Sequence, residues 1–202
     1  MARVLTDDKH YKNIAKGLRG GDLVNTTYTP AEMSEAVSHL AITNAKIIDR
    51  TITELVPEDF ALVRTIGNRT FMDCANLTSV EIGEQVKTIG KYAFADCPAL
   101  ANVVIPDNVT LIDGYAFNGH GDMVVKIGSG VTEIGTRAFY TSGECHLEMH
   151  MKATTPPTLA SGALGTVAGL TYSIIVPTGC GEAYKTATNW SKYADDITEE
   201  TE

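Results

Sequence analysis

The chain has 202 residues, 44% of them hydrophobic, with a formal net charge of −9 and a pI near 5.0. Such acidity excludes a nucleic-acid or anionic-membrane surface, since both need clustered Lys and Arg. No stretch reaches the roughly 18 apolar residues that span a bilayer, and the four cysteines are too sparse for a disulfide framework and lack the CxxC spacing of a zinc site.

The first residues, MARVLTDDKHYKN, lack the apolar core of a Sec-type signal peptide, so synthesis in a cytoplasm with reduced thiols is expected. Asp7 to Gly17 reads as a short helix ending at Gly20-Gly21. Thr29-Pro30-Ala31-Glu32 then opens a second helix, to about Leu40, with a capping box and a proline in its first turn. Residues 1–43 therefore read as a separate helical module. Ala45 to Pro57 reads as one or two strands leading into the next region. Aligning Val56-Pro57 with Ile105-Pro106 leaves about three extra residues before Val63, which makes the first coil irregular.

From there the chain repeats itself. Ile66, Ile89, Ile112 and Ile134 recur at steps of 23, 23 and 22, and Phe71, Phe94, Phe117 and Phe139 keep the same steps. Val80, Val103 and Val125 are each followed two residues later by Ile82, Ile105 and Ile127. Cys74 and Cys97 precede Leu77 and Leu100 by three residues. Several columns sharing one period mean a repeat array. Each unit reads as a short strand with Val and Ile on one face, a turn, a second extended piece ending in Ile-Gly, and a compact segment with a buried Phe. One unit cannot bury these side chains alone, whereas stacked units bury each other's in internal ladders. Leu147, Met149 and Met151 alternate as a further strand, and Tyr172 to Pro177 as another after the small-residue excursion Thr154 to Gly169. A helical pattern then places Ala183, Tyr184, Ala187, Trp190 and Tyr193 on one apolar side, a lid for the last coil, before a frayed tail at Thr198 to Glu202.

The units "LTSVEIGEQVKTIGKYAFADCPAL", "LANVVIPDNVTLIDGYAF" and "MVVKIGSGVTEIGTRAF" resemble the BspA-like leucine-rich repeats. The ending "TTPPTLASGAL…YSIIVPTGCGEAYKTATNWSKYADDI" is similar to the segment that often closes such arrays. Departures are Asp113 for the usual Gly, Asn118-Gly119-His120-Gly121 where a third Asp-Cys belongs, and a 22-residue fourth unit. The resemblance implies an α+β leucine-rich-repeat solenoid of 22–23-residue units with parallel strand stacking, preceded by a small helical module and closed by a helical C-terminal cap. Its divisions are 1–43, a docking or assembly module; 44–151, the repeats; and 152–202, the last coil and cap. It also implies a surface protein that binds partners without catalysis. The N-terminal piece "VLTDDKHYKNIAKGLRGG…YTPAEMSEAV" resembles a leader on structural proteins of phages and prophages.

Candidate chemistry meets a structural reading at each point. Cys74 and Cys97 share one repeat position, and a nucleophile is rarely duplicated one coil away, so packing is the expected role. Asp73 and Asp96 repeat with them and are expected to bond turn amides. His146, Glu148 and His150 share one face of a strand and are weak metal candidates, because three side chains spaced along one strand converge poorly on one ion. Ser129, in Gly-Ser-Gly, lacks the elbow of a hydrolase, and Gly17 to Gly21 lacks the Gly-Lys ending of a phosphate loop.

What remains for binding is the outward strand face. One row reads Ser79, Asn102, Val124, Glu148 and Ser173, and the next Glu81, Val104, Lys126, His150 and Ile175. Such a mixed face suits a protein or glycan partner as well as plain solvent. The expected protein is a non-enzymatic phage virion-associated adhesion or structural protein, without cofactor, nucleic acid or membrane insertion. Residues 1–43 would dock to other virion proteins or form a homo-oligomer, and the repeats would face a bacterial or mucosal surface. A bacterial cell-surface adhesin is the alternative, and a metal-dependent enzyme a remote one.

Overall fold

The computed structural model describes residues 51–201 apart from 62, 166 and 167, so the expected N-terminal module lies outside the described residues. Along the main sheet run β1 (Glu54–Leu55), β3 (Ser79–Glu81), β5 (Asn102–Ile105), β7 (Met123–Ile127), β9 (Cys145–Met151), β11 (Leu170–Val176) and β12 (Ile197–Glu199), neighbours in that order. A second sheet stacks β2 (Thr65–Ile66), β4 (Thr88–Ile89), β6 (Leu111–Ile112), β8 (Glu133–Ile134) and β10 (Thr158–Leu159). All pairings are parallel, because each coil returns to its start one strand further along. Both sheets continue past residue 152.

The inward rows follow from the alternation. Leu55, Val80, Val103, Val125, Met149, Ile174 and Ile197 lie in register and are all buried. Opposite them Ile66, Ile89, Ile112, Ile134 and Leu159 line the second sheet. The compact segments close the third side with a stack of rings. Phe71, Phe94, Phe117 and Phe139 lie nearly parallel, with centroids 5.0, 5.1 and 5.2 Å apart. Backbone bonds set that spacing: Phe71 N–H donates to Ala93 O at 2.8 Å, Phe94 to Ala116 at 2.7 Å and Phe117 to Ala138 at 2.7 Å.

These segments turn tightly through left-handed backbone. Arg69, Tyr92, Tyr115 and Arg137 have φ of 60, 59, 61 and 55°, and Asp73 and Asp96 have 61 and 56°. The repeated aspartates thus share a backbone role that Asp tolerates better than most residues. In the third unit Gly119, φ 78°, takes that place, where a side chain would run into Asp96.

The irregular first coil has a clear use. Its extra residues form a 3-10 helix, Pro57–Phe60, with proline in the first turn and the Asp59 carboxylate accepting the Val56 N–H at 2.9 Å. The helix swings Phe60 edge-on against Phe71, 6.3 Å away at 72°, and so covers the end of the ring stack.

The far end differs from the single apolar helix side read from the sequence. Helix α1 (Gly181–Thr186) stops at Ala187, Asn189 turns left-handed at φ 67°, and a 3-10 segment follows at Trp190–Asp196. Tyr184, Trp190 and Tyr193 are buried and Ala187 packs against the core, but Ala183 points to solvent. Trp190 Nε1–H donates to Pro157 O, Tyr184 OH to Ala153 O and Tyr193 OH to Gly165 O, each at 2.8 Å. Thr198 and Glu199, expected in a frayed tail, belong to strand β12, since β11 still has a free edge for them to pair with.

Candidate binding surface

Both outward rows fall in register on the main sheet, Ser79–Asn102–Val124–Glu148–Ser173 and Glu81–Val104–Lys126–His150–Ile175. Asn102, Glu81, Val104 and Lys126 are exposed, and the rest are half-buried. Val104, 37% exposed, is the large apolar side chain that stands out to solvent among the described residues. A shallow cleft of about 170 Å³ opens beside it between Glu81, Pro106, Lys126 and Lys152. Lys152 also reaches the Asp107 carboxylate at 3.7 Å.

The histidine cluster separates into two pairs. His150 Nε2 meets Glu148 Oε1 at 2.6 Å, while His146 Nδ1 meets Thr171 Oγ1 at 2.9 Å on the next strand. Among the described residues, no group of three or more His, Cys, Asp and Glu side chains is placed to hold a metal.

Other sequence candidates resolve into scaffold. Cys74 and Cys97 are both buried thiols. The Cys97 thiol donates to Phe71 O at 3.2 Å, and its hydrogen bond with Cys74, then burial, push it far above the ordinary thiol value. A thiol held protonated is a poor nucleophile. Ser129 donates its N–H to Asp107 Oδ1 at 2.8 Å, as a tie between coils. His120 occupies the Cys74/Cys97 column and is buried, with Nε2 3.1 Å from Phe139 O and its own carbonyl accepting from Thr141 Oγ1 at 2.6 Å.

One surface feature escaped the sequence reading. On the side after the second sheet, Tyr92 and Tyr115 stack with centroids 4.6 Å apart. Arg69 lies 5.3 Å over Tyr92, and Arg137 lies 5.8 Å over Tyr115 and 5.1 Å over Tyr140. Lys91 sits 5.6 and 5.8 Å from the Tyr92 and Tyr115 centroids. The signal was available, since Arg69, Tyr92, Tyr115 and Arg137 each precede a residue of the Phe column by two and keep its steps. The side chains vary in type from coil to coil, so the column is visible only once the backbone superposes them.

Among curated proteins, none matches the chain. Six copies of the BspA type leucine rich repeat region match residues 52–155, just over half of the chain. The matched span runs from the lead-in strand through the Ile and Phe columns to just past β9, and takes in most of the ladders and the parallel register. By this match and the stacked coils, the chain belongs to the BspA type leucine-rich-repeat family.

Proposed function

We propose that this chain is a non-enzymatic adhesion protein, with the outer face of the main sheet meeting a protein or glycan on a bacterial or mucosal surface. The observation that carries this reading is the face itself. Its inward rows are committed to packing, while Glu81, Asn102, Val104 and Lys126 project from a rigid parallel sheet beside a cleft. An exposed apolar residue ringed by polar ones is a common anchor arrangement at an interface. The setting is a phage particle, with residues 1–43 docking to other virion proteins or forming a homo-oligomer; this half rests on the resemblance of the N-terminal segment to phage leaders. Family membership favours a second setting, the bacterial cell surface.

Mass spectrometry of purified particles and of cell-surface fractions tests the setting. Presence in particles supports the first, and presence only at the cell surface supports the second. Absence from both overturns both. The enzyme reading is tested by metal analysis, with no stoichiometric metal expected. Metal bound at one per chain and lost in His146→Ala/His150→Ala would reverse the assignment.

A further inference from the structure

The cationic tyrosine strip lies on a different side of the solenoid from the outer sheet face, and its chemistry points to its own ligand. We infer that Arg69, Lys91, Tyr92, Tyr115 and Arg137 form a binding strip for a linear polysaccharide bearing carboxylates.

Charge is the first argument. Residues 51–202 hold nine Lys and Arg against nineteen Asp and Glu, yet three of the nine cations gather on this strip. Between described residues the ion pairs are His150–Glu148 and Lys152–Asp107, while Arg69, Lys91 and Arg137 lie over tyrosine rings. The nearby Asp113 is half-buried, and its carboxylate accepts the Gly114 N–H at 2.6 Å.

Geometry is the second. Arg69, Tyr92, Tyr115 and Arg137 follow one another coil by coil, spanning about 14 Å at roughly 4.8 Å per coil. Arg69, Lys91 and Arg137 lie over ring faces yet are exposed, the tyrosines are half-buried, and Arg137 Nη1 also donates to the Tyr115 hydroxyl at 3.5 Å. A guanidinium flat on a ring keeps the fork that grips a carboxylate by two bonds. Left-handed backbone at these four positions favours Gly or Asn, yet each carries a long side chain, and Arg137 of the fourth coil lies against both Tyr115 of the third and Tyr140 of its own.

The charge density of the ligand selects its class. Duplex DNA would bring roughly eight phosphates over the same 14 Å, far more than three cations neutralise, against a chain of charge −9. A peptide anchors through apolar pockets, and the large exposed apolar residue, Val104, is on the other side. A uronate-containing polysaccharide offers sparse carboxylates with hydroxyls between them, which matches cations alternating with phenols.

The test is titration of the full-length protein with polygalacturonate, with neutral dextran and poly-glutamate alongside, at two salt concentrations. Salt-sensitive binding to polygalacturonate is expected, weakened about tenfold or more by Arg69→Gln/Arg137→Gln and unchanged by Lys192→Gln, an exposed lysine of the C-terminal 3-10 segment. Tyr92→Phe/Tyr115→Phe keeps the stack and removes the hydroxyls, and a severalfold loss is expected. Melting curves confirm that each variant folds. Binding absent from wild type, unaffected by the arginine changes, or equal for poly-glutamate would overturn the inference. None of these outcomes bears on the outer sheet face, whose partner is tested separately.

Discussion

At the residue scale the ladders fix what each substitution costs. Phe117 lies between two parallel rings and is fully buried, so Phe117→Ala opens a cavity that neighbouring coils, held by backbone bonds, fill poorly. A loss of about 3–5 kcal/mol is expected in urea unfolding. The cysteines separate by position. Cys145 and Cys180, partly exposed, should react with a maleimide in the native protein, whereas Cys74 and Cys97 should react only on unfolding, as read by mass spectrometry. Native-state labelling of Cys97 would contradict its buried, protonated state. Gly130 is a glycine by necessity, since a Cβ there would fall on the Asp107 carbonyl of the coil below.

At the element scale the two ends are closed differently. The N-terminal coil turns a 3-10 helix inward to place Phe60 on the ring stack, and the C-terminal segment seats Trp190, Tyr184 and Tyr193 on the last coil. Burial pushes the Tyr193 phenol up to about 12, so it stays a donor to Gly165 O at neutral pH. Trp190→Ala should destabilise the chain by about 3–5 kcal/mol. It should also speed hydrogen exchange in β11 and β12 before β3 and β5, because a solenoid frays from its uncapped end. Uniform acceleration would mean that the array opens as one unit.

Strand β12 is held partly by charge. Glu199 accepts N–H bonds from Gly179 at 2.9 Å and Gly181 at 2.8 Å, which lower its carboxyl below the ordinary 4.5. The Ser129 N–H, with Lys152, likewise lowers Asp107 below 3.8. A carboxylate with a depressed folded pKa contributes stability that is complete above its unfolded value and is lost as pH falls through the folded one. Stability should therefore decline below about pH 4.5. Glu199→Gln should make that acid limb shallower in denaturation followed by circular dichroism.

At the scale of the whole molecule, the coils from residue 51 onward carry their own ladders and closures. Deleting residues 1–43 should leave the repeats folded, with an unchanged melting profile, while abolishing particle docking or assembly; unfolding of the remainder would show that the module is part of the core. The period, the inward columns and the outer strand rows were legible because a stacked coil must repeat whatever it buries. Val80, Val103 and Val125 announce one row by their spacing, and register carries Ser79 to Ser173 with it. Features outside that constraint were not legible. The left-handed turns admit Arg, Tyr, Asp and Gly alike, so the Arg–Tyr–Tyr–Arg column shows in no consensus, and Gly119, visible as a departure from Asp, reveals its left-handed role only in the folded chain. The break at Asn189, the exposure of Ala183 and the pairing of β12 depend on how the last coil presents its edge. The column spacing alone dictates a solenoid, because burial imposes one period on every unit. Which side chains meet across coils, and how the ends close, follows from the folded coils, because those contacts join residues about a turn apart whose identities are free to vary.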